Sequence, residues 1–159
     1  MKYTRLSKEQ LEDLQQEFIN FLASQTITAK EWETIKKDTP QVAEQELDVF
    51  SDLIWEGALT RAEYLENTSA DQLFLFKLGS TTFNLIHVKA SRGLVDLTSV
   101  AGRSWLLKNV LHKDVQITIG SKQVPENRNK AVFGLIQQGA QITTADLYTN
   151  LEHVITLNK

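Results

Sequence analysis

Four times along this chain an apolar residue is followed by a hydroxyl, three residues later by a side-chain acceptor, and then by a second apolar residue. The four stretches are Leu6-Ser7-Lys8-Glu9-Gln10-Leu11, Ile27-Thr28-Ala29-Lys30-Glu31-Trp32, Leu59-Thr60-Arg61-Ala62-Glu63-Tyr64 and Ile142-Thr143-Thr144-Ala145-Asp146-Leu147. At a helix start the hydroxyl accepts from a first-turn amide and the acceptor reaches back to the cap amide, while the apolar pair closes over both. Asp146 is the shortest of the four acceptors and has the least reach. The pattern predicts helices opening after residues 7, 28, 60 and 143, and these unequal spacings make it a reused local grammar rather than a structural repeat.

Hydrophobic spacing fills in the elements between these starts. Leu11, Leu14, Phe18, Phe21 and Leu22 share one helical face, predicting an amphipathic helix over 8–24. A short helix follows Thr28, with Trp32 and Ile35 inward. Thr39-Pro40 opens a third, since proline at the first helical position gives up only an amide that is unpaired anyway, and Gly57 is expected to stop it after Glu56. A fourth, one or two turns long, is expected after Thr60.

The period then changes. Residues 72–78 and 82–88 read as two strands joined through Gly79-Ser80-Thr81, and the first is apolar on both faces, which predicts a central or doubly covered position. Leu94–Leu97 is a candidate short strand. Thr98 is a candidate cap for a helix carrying Val100, Trp105, Leu106 and Val110. Residues 114–119 alternate as a strand wet on one face, and two helices are expected over 125–138, ended by Gly139, and 144–155. This order, without a βαβ series, predicts an α+β fold: N-terminal helices, a small and mainly antiparallel sheet of three or four strands, and C-terminal helices.

A chain of 159 residues, 42% of them hydrophobic, is of a size to form a single domain over 1–159. It contains no cysteine, which excludes a disulfide framework, a thiolate nucleophile and a cysteine zinc site. The first residues are not followed by an apolar stretch, and no long uncharged run occurs later, so the expectation is a cytoplasmic protein without a membrane segment. A net charge of −3 argues against broad nucleic-acid binding. That charge is unevenly spread: residues 1–71 carry 7 basic against 15 acidic side chains, and residues 72–159 carry 10 against 5.

No stretch marks a catalytic, cofactor or metal site. His87, His112 and His153 fall on different elements without ligand spacing, and neither a Gly-x-Ser-x-Gly elbow nor a glycine-rich phosphate loop is present. Three groups of residues remain as candidates. Glu44, Asp48, Asp52 and Glu56 recur at i, i+4 down one side of the third helix with Trp55 among them, forming either a solvated acidic face or a docking surface for a basic protein partner anchored by Trp55. Glu46 falls instead within the apolar arc of Ala43, Leu47, Val49, Phe50, Leu53 and Ile54, and a carboxylate placed there calls for a cation. Arg128, on the apolar side of a later helix, is the expected partner, with Arg103 as the rival donor. Ser121, Lys122 and Lys130, near a helix start, form a candidate anion patch.

Residues 43–57, reading Ala-Glu-Gln-Glu-Leu-Asp-Val-Phe-Ser-Asp-Leu-Ile-Trp-Glu-Gly, and 137–143, reading Gln-Gln-Gly-Ala-Gln-Ile-Thr, resemble a family of small uncharacterised bacterial proteins, a domain of unknown function. The resemblance runs along most of the chain. It implies a bacterial cytoplasmic origin and transfers no activity, substrate or catalytic residue. The residues themselves favour a non-enzymatic protein-interaction or regulatory module. The alternative is a small-ligand-binding protein or enzyme with a pocket between helices and sheet, drawing on Glu46, Arg128 or His87.

Overall fold

A computed structural model of the chain describes residues 1–158, which form two compact units, Met1–Thr60 and the remainder from Arg61. The architecture is α+β, with N-terminal helices, an antiparallel sheet and C-terminal helices.

The first unit is helical. Ser7 and Thr28 each form the complete reciprocal cap, with Gln10 and Glu31 returning to the cap amides, and open α1 (Lys8–Asp13) and α3 (Ala29–Asp38). The helix expected over 8–24 is divided at Leu14 into α1 and α2 (Gln15–Ser24), although the Leu14 amide still donates to the Gln10 carbonyl and Phe18 to Leu14. α4 (Pro40–Arg61) starts at the proline as expected but runs through Gly57 and Thr60. Gly57 does not take the left-handed conformation that would end a helix, and the Thr60 hydroxyl donates back to the Glu56 carbonyl at 2.7 Å. A hydroxyl bonded backwards inside a helix is not a cap, so the short helix expected after Thr60 is absent. Phe18, Phe21, Trp32 and Phe50 gather α2, α3 and α4 around one aromatic cluster, with Phe18 meeting Trp32 and Phe50 edge-on at 5.2 and 5.0 Å.

The second unit is built on five strands rather than three or four: β1 (Tyr64–Thr68), β2 (Gln72–Leu78), β3 (Thr82–Ala90), β4 (Val115–Gln123) and β5 (Gln141–Thr143), in the order β4-β3-β2-β1-β5 and all antiparallel. β2 is the central strand, which accounts for its apolar residues on both faces. On one face Leu73, Leu75, Ile86, Val88 and Ala90 are buried against Leu106 of α5 (Val100–Lys108) and Tyr148 and Leu151 of α7 (Asp146–Leu157). α6 (Arg128–Gln137) lies between β4 and β5 in the chain.

Several boundaries depart from expectation for local reasons. Leu94–Leu97 is not a strand; the Leu94 and Leu97 amides donate to Ser91 and Ala70 carbonyls in a loop. Ser99, not Thr98, caps α5, because Thr98 is held by the Asp96 carboxylate through its amide and hydroxyl. Thr143 ends β5 opposite Tyr64 instead of opening a helix. Asn127 caps α6, so that helix starts after Pro125. Gly139 does terminate it: with φ +112°, its amide donates to the Ile136 carbonyl and the Ala140 amide to Leu135, the paired bonds that close a helix through a left-handed residue.

Candidate interaction surface on α4

The acidic ladder of α4 is occupied. The segment preceding α1, bent at Tyr3, runs along it, and each of the four carboxylates receives a bond from this segment. Asp52 is the fulcrum, its two oxygens accepting the main-chain amides of Lys2 and Tyr3 at 2.7 and 2.8 Å. Glu56 accepts from Lys2 Nζ at 3.0 Å and from the Tyr3 hydroxyl. The Arg5 guanidinium spans one turn of the helix, donating Nε and Nη2 to Asp48 Oδ1 at 2.7 Å and Nη1 to Glu44. At the end of the segment the buried Leu6 amide donates to the hydroxyl of Ser51, which is fully buried, and Ser7 then opens α1.

These contacts combine two kinds of recognition. Amide-to-carboxylate bonds at residues 2 and 3 read the main chain where it bends at Tyr3, turning two successive N–H groups to one side, whereas Lys2, Tyr3 and Arg5 are read by charge and shape. The ion pairs are largely solvent-exposed, with the Arg5 side chain 38% and Glu44 58% accessible, so specificity and long-range attraction rather than large stabilisation are what they supply. The bond to Glu56 raises the Lys2 ammonium above its ordinary value, and the bonds to Asp48 and Glu44 raise the Arg5 guanidinium. The Tyr3 phenol is raised first by burial and then by Glu56, so it stays a neutral donor.

Trp55 is half-buried between Asp52 and Glu56. On the adjacent side of the helix Val42, Val49 and Leu53 are 40%, 56% and 57% exposed. Val49 and Leu53, expected in the core, instead form with Val42 an apolar ridge beside the acidic ladder, spaced i, i+7, i+11.

The other candidates fall elsewhere. Glu46 belongs to the first unit, is half-buried and accepts from Gln25 Nε2 at 2.9 Å. Arg128 belongs to the second, where it donates to the Ala62 carbonyl at 2.6 Å and to Asn129 Oδ1 at 3.0 Å. Arg103, the rival donor, pairs with Glu66 at 3.2 Å. Ser121 and Lys122 stand opposite Asn84 and Phe83, so their side chains project from opposite sheet faces, and Lys130 lies in the first turn of α6, its amide held by Asn127. His87 stacks on Phe74 at 4.2 Å with Nε2 at 2.9 Å from Gln72 Oε1. Among the described residues no three His, Asp or Glu side chains gather as a metal ion would require, and no helix is long and apolar enough to cross a membrane.

Lys2, Tyr3, Arg5 and Ser51 were not singled out from the sequence. Their signal is a short basic stretch, Lys2 and Arg5 ahead of Leu6, in an otherwise acidic half.

No curated protein and no solved structure matches the chain. A family model matches residues 1–156 and is described as a family of unknown function (DUF6495). The chain is a member of that family.

Proposed function

We propose that the protein is a non-enzymatic interaction module whose α4 ladder binds a short basic segment of a partner protein, in the mode of its own residues 2–6. The observation that carries this reading is the double use of Asp52, which takes two successive main-chain amides while Asp48 and Glu44 take a guanidinium three residues on. A partner presenting lysine, an aromatic residue, any residue, arginine and an apolar residue, with the same bend at the aromatic position, satisfies the same acceptors. Tethering gives the protein's own segment a high effective concentration, so a partner must displace it or meet it already released. The resemblance to bacterial proteins and the expectation of a cytoplasmic setting belong to the same reading.

The test is a labelled peptide of residues 2–6, Lys-Tyr-Thr-Arg-Leu, added to full-length protein carrying Lys2→Glu and Arg5→Glu, with binding followed by fluorescence anisotropy. Saturable binding that weakens with salt and is lost when Asp48 and Asp52 are also changed to Asn is the expected result. No binding to the charge-reversed protein would leave the segment as a purely architectural element.

A second reading, a small-ligand protein, is favoured by a groove on the sheet of the second unit, lined by Gly120 and Lys122 from one face of β4.

A further inference from the structure

On the sheet face opposite α5 and α7, cross-strand pairing sets Leu78, Phe83 and Lys122 in one row and Phe76, Leu85 and Gly120 in the next. The second row is apolar up to β4, an edge strand, and there it ends in a residue without a side chain. Leu135 of α6 lines the same place, and the result is a groove of about 250 Å³. Gly120 has no conformational reason to be there, since its φ is not positive. Nor does packing require it, because no heavy atom lies within 4 Å of where a Cβ would stand. Glycine inside a strand weakens it and marks places where something approaches the backbone. Here the space above Gly120 is the groove itself.

The one charged side chain lining this groove is Lys122, which is exposed and has no ion-pair partner among the described residues. Phe76, Phe83, Leu85 and Leu135 offer an apolar lining, and Lys122 offers a single cation at its rim. We infer that the groove binds a small aliphatic carboxylate, with its chain along Leu85 and Gly120 under Leu135 and its carboxylate on Lys122 Nζ. The volume suits a short chain rather than a long one. Filling the apolar floor supplies the affinity, and Lys122 selects an anion over a neutral molecule of the same length.

The probe is octanoate, with 1-octanol as its neutral counterpart, titrated into the full-length protein while amide chemical shifts are followed. Octanoate is expected to shift Leu85, Gly120 and Leu135 saturably, and octanol to bind more weakly. Lys122→Gln should reduce octanoate affinity by about fivefold, as befits an ion pair at a rim, and should leave octanol unaffected. Gly120→Leu, which fills the groove from its floor, should abolish binding of both. Absence of saturable shifts overturns the inference, as does equal affinity for octanol and octanoate. Retained binding in a folded Gly120→Leu protein overturns it as well; if that variant does not fold, the Lys122→Gln comparison decides alone.

Discussion

The Leu6 amide donates to Ser51 Oγ at 3.1 Å where both residues are buried, and this bond joins the N-terminal segment to the buried side of α4. Ser51 is the one buried polar side chain among the described residues. Changing it to Ala leaves the Leu6 amide without that acceptor and out of water, at a cost of about 1–2 kcal/mol. Chemical denaturation should show the lower midpoint, and hydrogen exchange at the Leu6 amide should accelerate. An unchanged midpoint with unchanged exchange would mean that the segment is held from elsewhere.

Alkali should release the same segment. The Lys2 ammonium and the Tyr3 phenol both titrate above their ordinary values of 10.5 and 10.0 in the folded protein. A group raised by folding contributes its full stabilisation below the unfolded value and loses it as pH rises through the folded one. The segment is therefore intact at neutral pH and loosens only above about pH 10, as Lys2 loses its charge beside Glu56 and Tyr3 becomes an anion facing it. The ring signals of Tyr3, followed by NMR against pH, should report an apparent pKa above 10.0. Glu56→Gln should move it part of the way back, since burial, the larger cause, remains. A Tyr3 that titrates at its ordinary value would contradict the contact.

The helix starts show where local sequence suffices and where it does not. Ser7 and Thr28 form complete caps because the chain reaches each of them extended and nothing else claims the hydroxyl. Thr60 and Thr143 carry the same grammar and fail for separate reasons. Thr60 lies within a helix that Gly57 does not stop, and its hydroxyl bonds backwards to Glu56. Thr143 is claimed by strand pairing with Tyr64, a partner no local pattern reveals. That same long-range pairing created β5, while β1 forms by folding back on β2 across residues 69–71, and together they raise the strand number to five. β2, by contrast, was legible as a central strand because burial on both faces is written in its own residues. The candidate surface was half legible: the acidic ladder followed from i, i+4 spacing, but the basic segment lying on it is distant in sequence and too short to show a period.

Close approach of main chains makes Gly102 indispensable. It is buried in α5, and a Cβ there would stand 1.8 Å from the Asp96 carbonyl oxygen and 2.9 Å from Ser99 Oγ. Backbone on one side and the capping hydroxyl on the other leave no flexible side chain to move aside. Gly102→Ala should therefore displace the start of α5 from the 96–99 loop, costing about 2–3 kcal/mol or more despite alanine's better helix propensity. Thermal melting of the variant checks this, with Ala101→Gly as the control, since that exposed neighbour should lose no more than about 1 kcal/mol.

Through Arg103, α5 reaches β1 on the sheet face it covers. Its Nε donates to the Leu97 carbonyl at 3.0 Å, and its Nη2 donates to Thr68 Oγ1 and meets Glu66 Oε2, each at 3.2 Å. The two side chains of the pair are 28% and 21% exposed, so solvent screens them only in part. Arg103→Met removes three bonds at once and leaves the Glu66 carboxylate, among the described residues, with the Thr143 hydroxyl at 3.4 Å. The expected loss is about 2 kcal/mol, less than for a fully buried pair. Glu66→Gln keeps a neutral acceptor for the guanidinium and should lose about 1 kcal/mol. If the ion pair fixes the position of α5 rather than adding net stability, the double variant Arg103→Met with Glu66→Met should recover most of the single loss, because no charge is then stranded. A double variant whose losses simply add would show instead that Arg103 acts through Leu97 and Thr68, independently of the carboxylate.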